Sequence, residues 1–295
     1  VFTMHRLMQE VVRNQIPEER RTDWLELVLA LVDRFAPRPA EDVKTWPIWD
    51  LLRPHAVQLL AHAEREALIS RSRASLMSEL GLLFGAKGLY PEAEPLMRKA
   101  LDIEERLSGG NSPEIGIYLN NLGMLLKVMG RLEEAEPLMR RSAEICFSLA
   151  EASPYATMPI NGLALLLMEK QQWAEAEELL QRALTLDQDM YGGTHTYVGR
   201  DLHNLALLLI STGRTVEAET LSRRSLEILS AAHGETHPRP ARAMQVLAGI
   251  LRDLGRPDEA EPLARHALEI LENALGPDHP MTQSARRDLD TLTAA

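Results

Sequence analysis

Cysteine is almost missing from this chain: Cys146 is the single one in 295 residues. No disulfide framework can form within the chain, and such usage fits a reducing compartment. Aromatic residues make up only 4% of the sequence. Strand formers are scarce while Ala, Leu, Glu and Arg dominate, a composition that favours helices. Long apolar runs are missing too. No stretch approaches the roughly 18 residues that a membrane span needs, and the opening Val1-Phe2-Thr3-Met4-His5-Arg6 lacks the apolar core of a secretory signal. No membrane partner and a cytoplasmic location are therefore expected. Positive charge is not in excess either. A net charge of -11 argues against a nucleic-acid partner, because sequence-blind binding needs a basic surface.

The signatures of catalysis are lacking as well. Gly85-Ala86-Lys87-Gly88 does not have the spacing of a phosphate-binding loop. No Gly-x-Ser-x-Gly elbow is present. His233-Gly234-Glu235-Thr236-His237 has the histidine spacing of a metalloprotease, but its Glu comes one place late and Gly-Thr belongs in a loop. Cys146, on the apolar side of a helix, reads as a small buried hydrophobe. The chain is not expected to be an enzyme.

What the sequence does have is repetition. The phrase Glu-Ala-Glu begins at Glu92, Glu134, Glu175, Glu217 and Glu259, in steps of 42, 41, 42 and 42. A fixed period of this size marks one supersecondary unit copied along a solenoid. Each copy has a first helix carrying a small residue: Gly81, Gly123, Ala164, Ala206 or Ala248. A turn follows at Gly88, Gly130, Gln171, Gly213 or Gly255. Glycine there suits a left-handed helix stop, so Gln171 must manage without that freedom. The second helix opens on Glu-Ala-Glu, whose acids suit a helix N-terminus. Its Ala93, Ala135, Ala176, Ala218 and Ala260 mark a tight packing point. Counting from each phrase to Ser112, His195, His237 and His279 gives 20 residues, but from Glu134 to Ser153 gives 19, which places the one-residue deletion late in the second repeat. His195, His237 and His279 sit at equivalent places in successive repeats, about 10 Å apart if the helices stack. They cannot share one metal ion, whose donors lie near 2 Å. A hydrogen bond capping the next helix is the expected role, and no metal site is expected.

Residues 1–71 do not follow the repeat. Val1–Met4 reads as the end of a strand, and a helix follows with Leu7, Met8, Val11 and Val12 on one face. A second helix, capped by Thr22, carries a stripe of Trp24, Leu25, Val28, Leu31, Val32 and Phe35 and ends at Pro37 and Pro39. A third is expected from Leu51 to Ile69, with Pro54 in its first turn.

Two resemblances attach to these features. The repeats, with Leu119-Asn120-Asn121-Leu122-Gly123 and Leu275-Gly276-Pro277-Asp278-His279-Pro280, are similar to the 42-residue form of the tetratricopeptide repeat found in kinesin light chains. That likeness implies an all-α fold, a right-handed α-solenoid over residues 72–295 with five repeats and a final capping helix. Phe2-Thr3-Met4-His5-Arg6-Leu7-Met8-Gln9 resembles the Met-His-Asp segment of the winged-helix domain in NB-ARC (STAND) signalling ATPases, with Arg6 departing from the Asp of that motif. It implies a winged-helix remnant at 1–15, a helical linker at 16–71, and His5 as the nucleotide-sensing residue of an intact protein. ADP or ATP would then bind a domain upstream, with no cofactor in this chain. In that family ligand binding at the repeats drives oligomerisation. The other reading open at this point is a constitutive peptide-binding adaptor without a nucleotide switch.

In a tetratricopeptide array the first helices line the concave surface. The positions flanking the small residue point into it, and here they include Asn120, Lys127, Asn161, Arg200, His203, Arg242, Gln245 and Arg252. Amides there can bond a ligand backbone. The arginines favour an anionic partner, such as an acidic protein segment or peptide, unless they pair with neighbouring acids such as Asp201 and Asp253.

Overall fold

A computed structural model describes residues 17–110, 112–148 and 157–293. The expected winged-helix remnant, with His5, lies outside the described residues, as does the linker that follows the second repeat. Among the described residues all regular structure is helical. The helices are α1 (Arg21–Phe35), α2 (Trp46–Arg65), α3 (Arg71–Ala86), α4 (Tyr90–Ser108), α5 (Pro113–Val128), α6 (Leu132–Ser148), α7 (Thr157–Glu169), α8 (Trp173–Tyr191), α9 (Thr196–Ser211), α10 (Thr215–His233), α11 (Pro238–Asp253), α12 (Pro257–Leu275) and α13 (Pro280–Thr293). The chain forms two compact units, Val1–Leu83 with Pro91–Asn111, and Phe84–Tyr90 with Ser112–Ala295.

In the first unit the stripe expected on α1 does not form a core. Leu29 is buried, while Trp24, Val28, Leu31 and Phe35 stay exposed, because little of the described chain covers that side. The third helix starts earlier than its apolar pattern indicates, at Trp46, so Pro54 falls inside it. Trp49 is buried with its indole N–H donating to Pro37 O at 2.9 Å. Arg73, also buried, donates to Leu68 O at 2.6 Å and pairs with Glu64. Arg38 donates to Ser75 Oγ at 2.7 Å and lies 3.2 Å from Glu79, whose carboxyl burial pushes up to about 7 against that attraction.

In the second unit, successive first helices α5, α7, α9, α11 and α13 pack on one another as well as on their partners. Successive second helices α6, α8, α10 and α12 have no comparable contact. Helices that converge on one side and splay on the other make a curved stack whose inner wall is the first-helix layer.

Within each repeat the two helices meet at small residues. Ala93, Ala135, Ala176, Ala218 and Ala260 are all 0% exposed. The residue opposite the small one varies from repeat to repeat, and Leu180 stands in register opposite Ala164. A Cβ on Gly123 would lie 2.6 Å from Met139 Cγ, and one on Gly81 2.6 Å from Met97 Cγ. Where the first helix carries Ala206 or Ala248 instead, the residue facing it from the second helix shrinks to Ser222 or Ala264. There is a second point of approach. Ser142 and Ser225, each fully buried, donate to the carbonyls of Gly116 and Gly199.

The two acids of the Glu-Ala-Glu phrase do different work. The first pairs backward within its own helix start, as Glu217 with Arg214 at 2.8 Å and Glu259 with Arg256 at 2.7 Å. The second reaches the turn of the following repeat, as Glu177 with Arg214 at 2.7 Å and Glu219 with Arg256 at 2.9 Å. Lys170 serves that turn in the third repeat, 2.6 Å from Glu136. The linker histidines cap as expected: Nδ1 of His195, His237 and His279 accepts from the backbone N–H two residues on, at 3.3, 3.1 and 3.2 Å.

The turn of the third repeat repeats the hydrogen bonds of its glycine counterparts, with Gln171 N–H on Met168 O at 3.0 Å, and Gln171 takes φ 60. A side chain in that conformation costs about 1 kcal/mol. Gln171→Gly is therefore expected to stabilise the chain by roughly that amount in urea denaturation; an unchanged or lower midpoint would show that the turn is not strained.

Candidate functional site

The inner wall is built from equivalent positions of the first helices. Its half-buried apolar floor is the row Met124, Leu165 and Leu207, which the fifth repeat ends with Gly249. At Gly249 a Cβ would meet nothing within 4 Å, so the floor opens there.

Beside this floor runs a row of one polar residue per repeat: Asn120, Asn161, His203 and Gln245. Each looks toward the next repeat's first helix, at the position one beyond its own equivalent. Asn161 Oδ1 accepts from Asn204 Nδ2 at 2.7 Å, and Gln245 Nε2 donates to Asp288 at 2.8 Å. The other two rungs are broken. Asn120 Oδ1 lies over Gly162, which has no side chain to donate, and has no hydrogen-bond partner among the described residues. The corresponding residue for His203 is Val246; His203 is 7% exposed, and neither ring nitrogen has a partner among the described residues. Burial lowers its pKa to about 3, helped by the positive charge of Arg242.

Where the third and fourth repeats meet, a buried ionic network fills the wall. Arg200 Nη2 donates to Asp187 Oδ2 and Asp201 Oδ1, both at 2.9 Å, and to Thr157 Oγ1 at 3.1 Å. Asn161 Nδ2 donates to Asp201 Oδ1 at 2.8 Å, and Thr157 Oγ1 to Asp187 Oδ2 at 3.0 Å. Both carboxylates are fully buried and share a single guanidinium. Burial pushes Asp201 up to about 7; Arg200 opposes the rise and the charge of Asp187 adds to it.

The eight positions read from the sequence thus fall into two groups. Five are engaged within the chain: Asn161, Arg200 and Gln245 as described, Lys127 with Glu169, and Arg252 with Asp253 at 2.8 Å. Three keep unmet capacity: Asn120, His203 and Arg242. Arg242 is exposed to solvent and has no acid within ion-pairing distance among the described residues, yet the surrounding protein desolvates it enough to lower its pKa. Thr157, Asp187 and Asn204 were not singled out from the sequence. Asp187 carried a legible signal, since it stands in register with Cys146, Leu229 and Leu271 and so places an acid at a core position.

The sequence profile of the tetratricopeptide repeat family matches residues 72–146, 155–230, 201–273 and 246–289. The chain belongs to that family. No protein of curated function matches it in sequence. Among solved structures it is similar to BtubC from P. vanneervenii, at 22% identity and TM-score 0.57, over 77% of this chain and 92% of that one. A putative kinesin light chain of Podosopora anserina is similar over 69% of this chain and 96% of that one, at 22% identity and TM-score 0.52. The quorum sensor NprR of B. thuringiensis is similar at 14% identity and TM-score 0.61, over 97% of this chain and 72% of that one. The Rap conjugation gene regulator of plasmid pLS20, solved in complex with the Phr* peptide, gives 14% identity and TM-score 0.60, over 75% of this chain and 62% of that one. These likenesses show a shared fold. No helix of the described residues is long and apolar enough to cross a membrane.

The two perturbed groups move stability with pH in opposite directions. His203 is depressed from 6.5 to about 3, so its contribution is full above the unfolded value and is lost as pH falls through that window. Asp201 is raised from 3.8 to about 7, so its contribution is full below the unfolded value and is lost as pH rises through that window. His203→Leu should therefore make stability fall more steeply between about pH 4 and 6.5, and Asp201→Asn should make it rise more steeply over the same range. Urea titrations at several pH values check both signs, and parallel profiles for the two variants would contradict the assignment.

Proposed function

We propose that this chain is a recognition module that holds a segment of another protein or a peptide along the inner wall of its first helices. The carrying observation is the combination there of an open apolar floor, Met124, Leu165, Leu207 and Gly249, with polar groups that the fold leaves unpaired. An extended segment can bury apolar side chains on that floor while its backbone meets the unpaired groups. The peptide held by the Rap regulator supports this reading by likeness of fold. Arg242 favours an acidic partner.

The finer reading is that the module is the sensor part of an NB-ARC signalling ATPase, supported by the resemblance of Phe2–Gln9, with His5, to the Met-His-Asp segment. On that reading the nucleotide belongs to another domain, and the intact protein oligomerises when its ligand arrives. Similarity to a putative kinesin light chain favours the second reading, a constitutive adaptor with no nucleotide switch.

Two outcomes follow. Leu165→Asp combined with Leu207→Asp should weaken capture of a partner by the full chain about ten-fold or more while leaving its helical circular dichroism intact, whereas Val216→Asp, at an exposed site on a second helix, should have no effect. Equal losses at both places would refute the inner wall as the binding surface. The purified chain should neither bind nor hydrolyse ATP; turnover by the chain alone would overturn the recognition-module reading.

A further inference from the structure

The repeats allow the chain to be compared with itself. Advancing the ionic network between repeats three and four by one period of 42 residues carries Arg200 to Arg242 and Asn161 to His203. The same step carries Asp201 to Ala243, Asp187 to Leu229 and Thr157 to Gly199. The cation persists, while both of its acids and the hydroxyl are gone. Ala243 and Leu229 are buried, so no acid of this chain stands in either place. Arg200 shows what an arginine at this position binds when its surroundings permit: two carboxylates at 2.9 Å.

We infer that Arg242 and His203 form a carboxylate-binding site between repeats four and five, in which an acidic group of the bound segment takes the place that Asp201 holds one repeat earlier. This deepens the inner-wall reading and rests on it. Several observations converge on the site. Arg242 is open to solvent and lacks an internal counter-charge among the described residues. His203, nine-tenths buried beside it, has one N–H to donate and no partner for it among the described residues. Where Asn161 donates to Asp201 at 2.8 Å, the positions in register for His203 carry the apolar Ala243 and Val246. A guanidinium and a neutral imidazole both supply donors to a carboxylate, and a planar guanidinium can engage it with two parallel bonds. Gly249, seven residues beyond Arg242 on the same helix, leaves the adjoining floor open for the residue that carries the acid.

The test uses the full chain and the side-chain Nε–H resonance of Arg242 in nitrogen-15 spectra. Three short probes are titrated: acetyl-Ala-Glu-Ala-amide, acetyl-Ala-Ala-Ala with a free terminal carboxylate, and acetyl-Ala-Gln-Ala-amide as the neutral control. A saturable shift with the first assigns a side-chain carboxylate, and one with the second assigns a chain terminus. Either supports the site, provided that the control binds about ten-fold more weakly. Ala243→Asp rebuilds the acid of the preceding repeat at a position that already accommodates one there, and should abolish the shift by giving Arg242 an internal partner. Arg242→Gln should remove the preference for the acidic probes, read from other resonances of α9 and α11. Equal binding of all three probes, no saturable shift with any of them, or an Ala243→Asp chain that binds as the parent does would each overturn the carboxylate site. None of these would touch the apolar floor, which the Leu165 and Leu207 substitutions test separately.

Discussion

The structure depends on how closely the two helices of a repeat can approach. At the middle of the Glu-Ala-Glu phrase there is room for a methyl group and no more, and all five alanines are fully buried. A larger side chain would either tilt the pair or displace the residues packed in the interior, which have little freedom to yield. The first helix answers with Gly or Ala, and the residue opposite varies, with Leu180 in register opposite Ala164. Gly81 and Gly123 face Met97 and Met139, whereas Ala206 and Ala248 face Ser222 and Ala264. Close approach at these small residues lets the first helices of the second unit pack side by side as one layer.

The charges around this contact set register more than stability. Pairs such as Arg214 with Glu177 and Arg256 with Glu219 are half open to water, and such pairs contribute about 0–1 kcal/mol each. Their value lies in geometry. Arg214 and Arg256 each reach both their own helix start and the second helix of the preceding repeat, so they fix how far one repeat is rotated against the next. The third repeat has Gln172 where that arginine would stand, and Lys170 supplies the charge from two residues earlier. A point charge on a flexible stem replaces a planar fork. It sits in the repeat whose turn also lacks glycine, so the two local departures share one turn.

The fold was legible because its determinants are periodic. Five copies of a phrase, small residues in register and the linker histidines each repeat, and a repeated feature stands out from a single sequence. Even the capping role of His195, His237 and His279 followed from their equivalent positions. What escaped was not periodic. The α1 stripe of Trp24, Val28, Leu31 and Phe35 has the spacing of a buried face and is exposed, since helical spacing identifies an apolar face without identifying what covers it. At the candidate site, the positions of Asn120, Asn161, His203 and Gln245 were legible from the period. Which of them the fold consumes was not. That depends on a second residue one repeat away, as in Asn161 with Asn204 but His203 opposite Val246.

The same dependence separates interfaces that hold the array together from one that can take up something else. A buried polar group without a partner destabilises by about 1–3 kcal/mol, and one with a partner contributes roughly 1. At the meeting of repeats three and four the partners are internal, so any ligand would first have to displace Asp187 and Asp201 from Arg200 and leave them buried and unpaired. At the meeting of repeats four and five nothing need be broken. Leu229, Ala243 and Val246 hold that junction by packing, and His203, left without a partner among the described residues, is already buried in place. A ligand that satisfies it gains the interaction without a competing internal contact. Two adjacent junctions of one repeat family thus divide structural cohesion from recognition, through the loss of four polar side chains, those of Thr157, Asp187, Asp201 and Asn204, and the retention of one arginine.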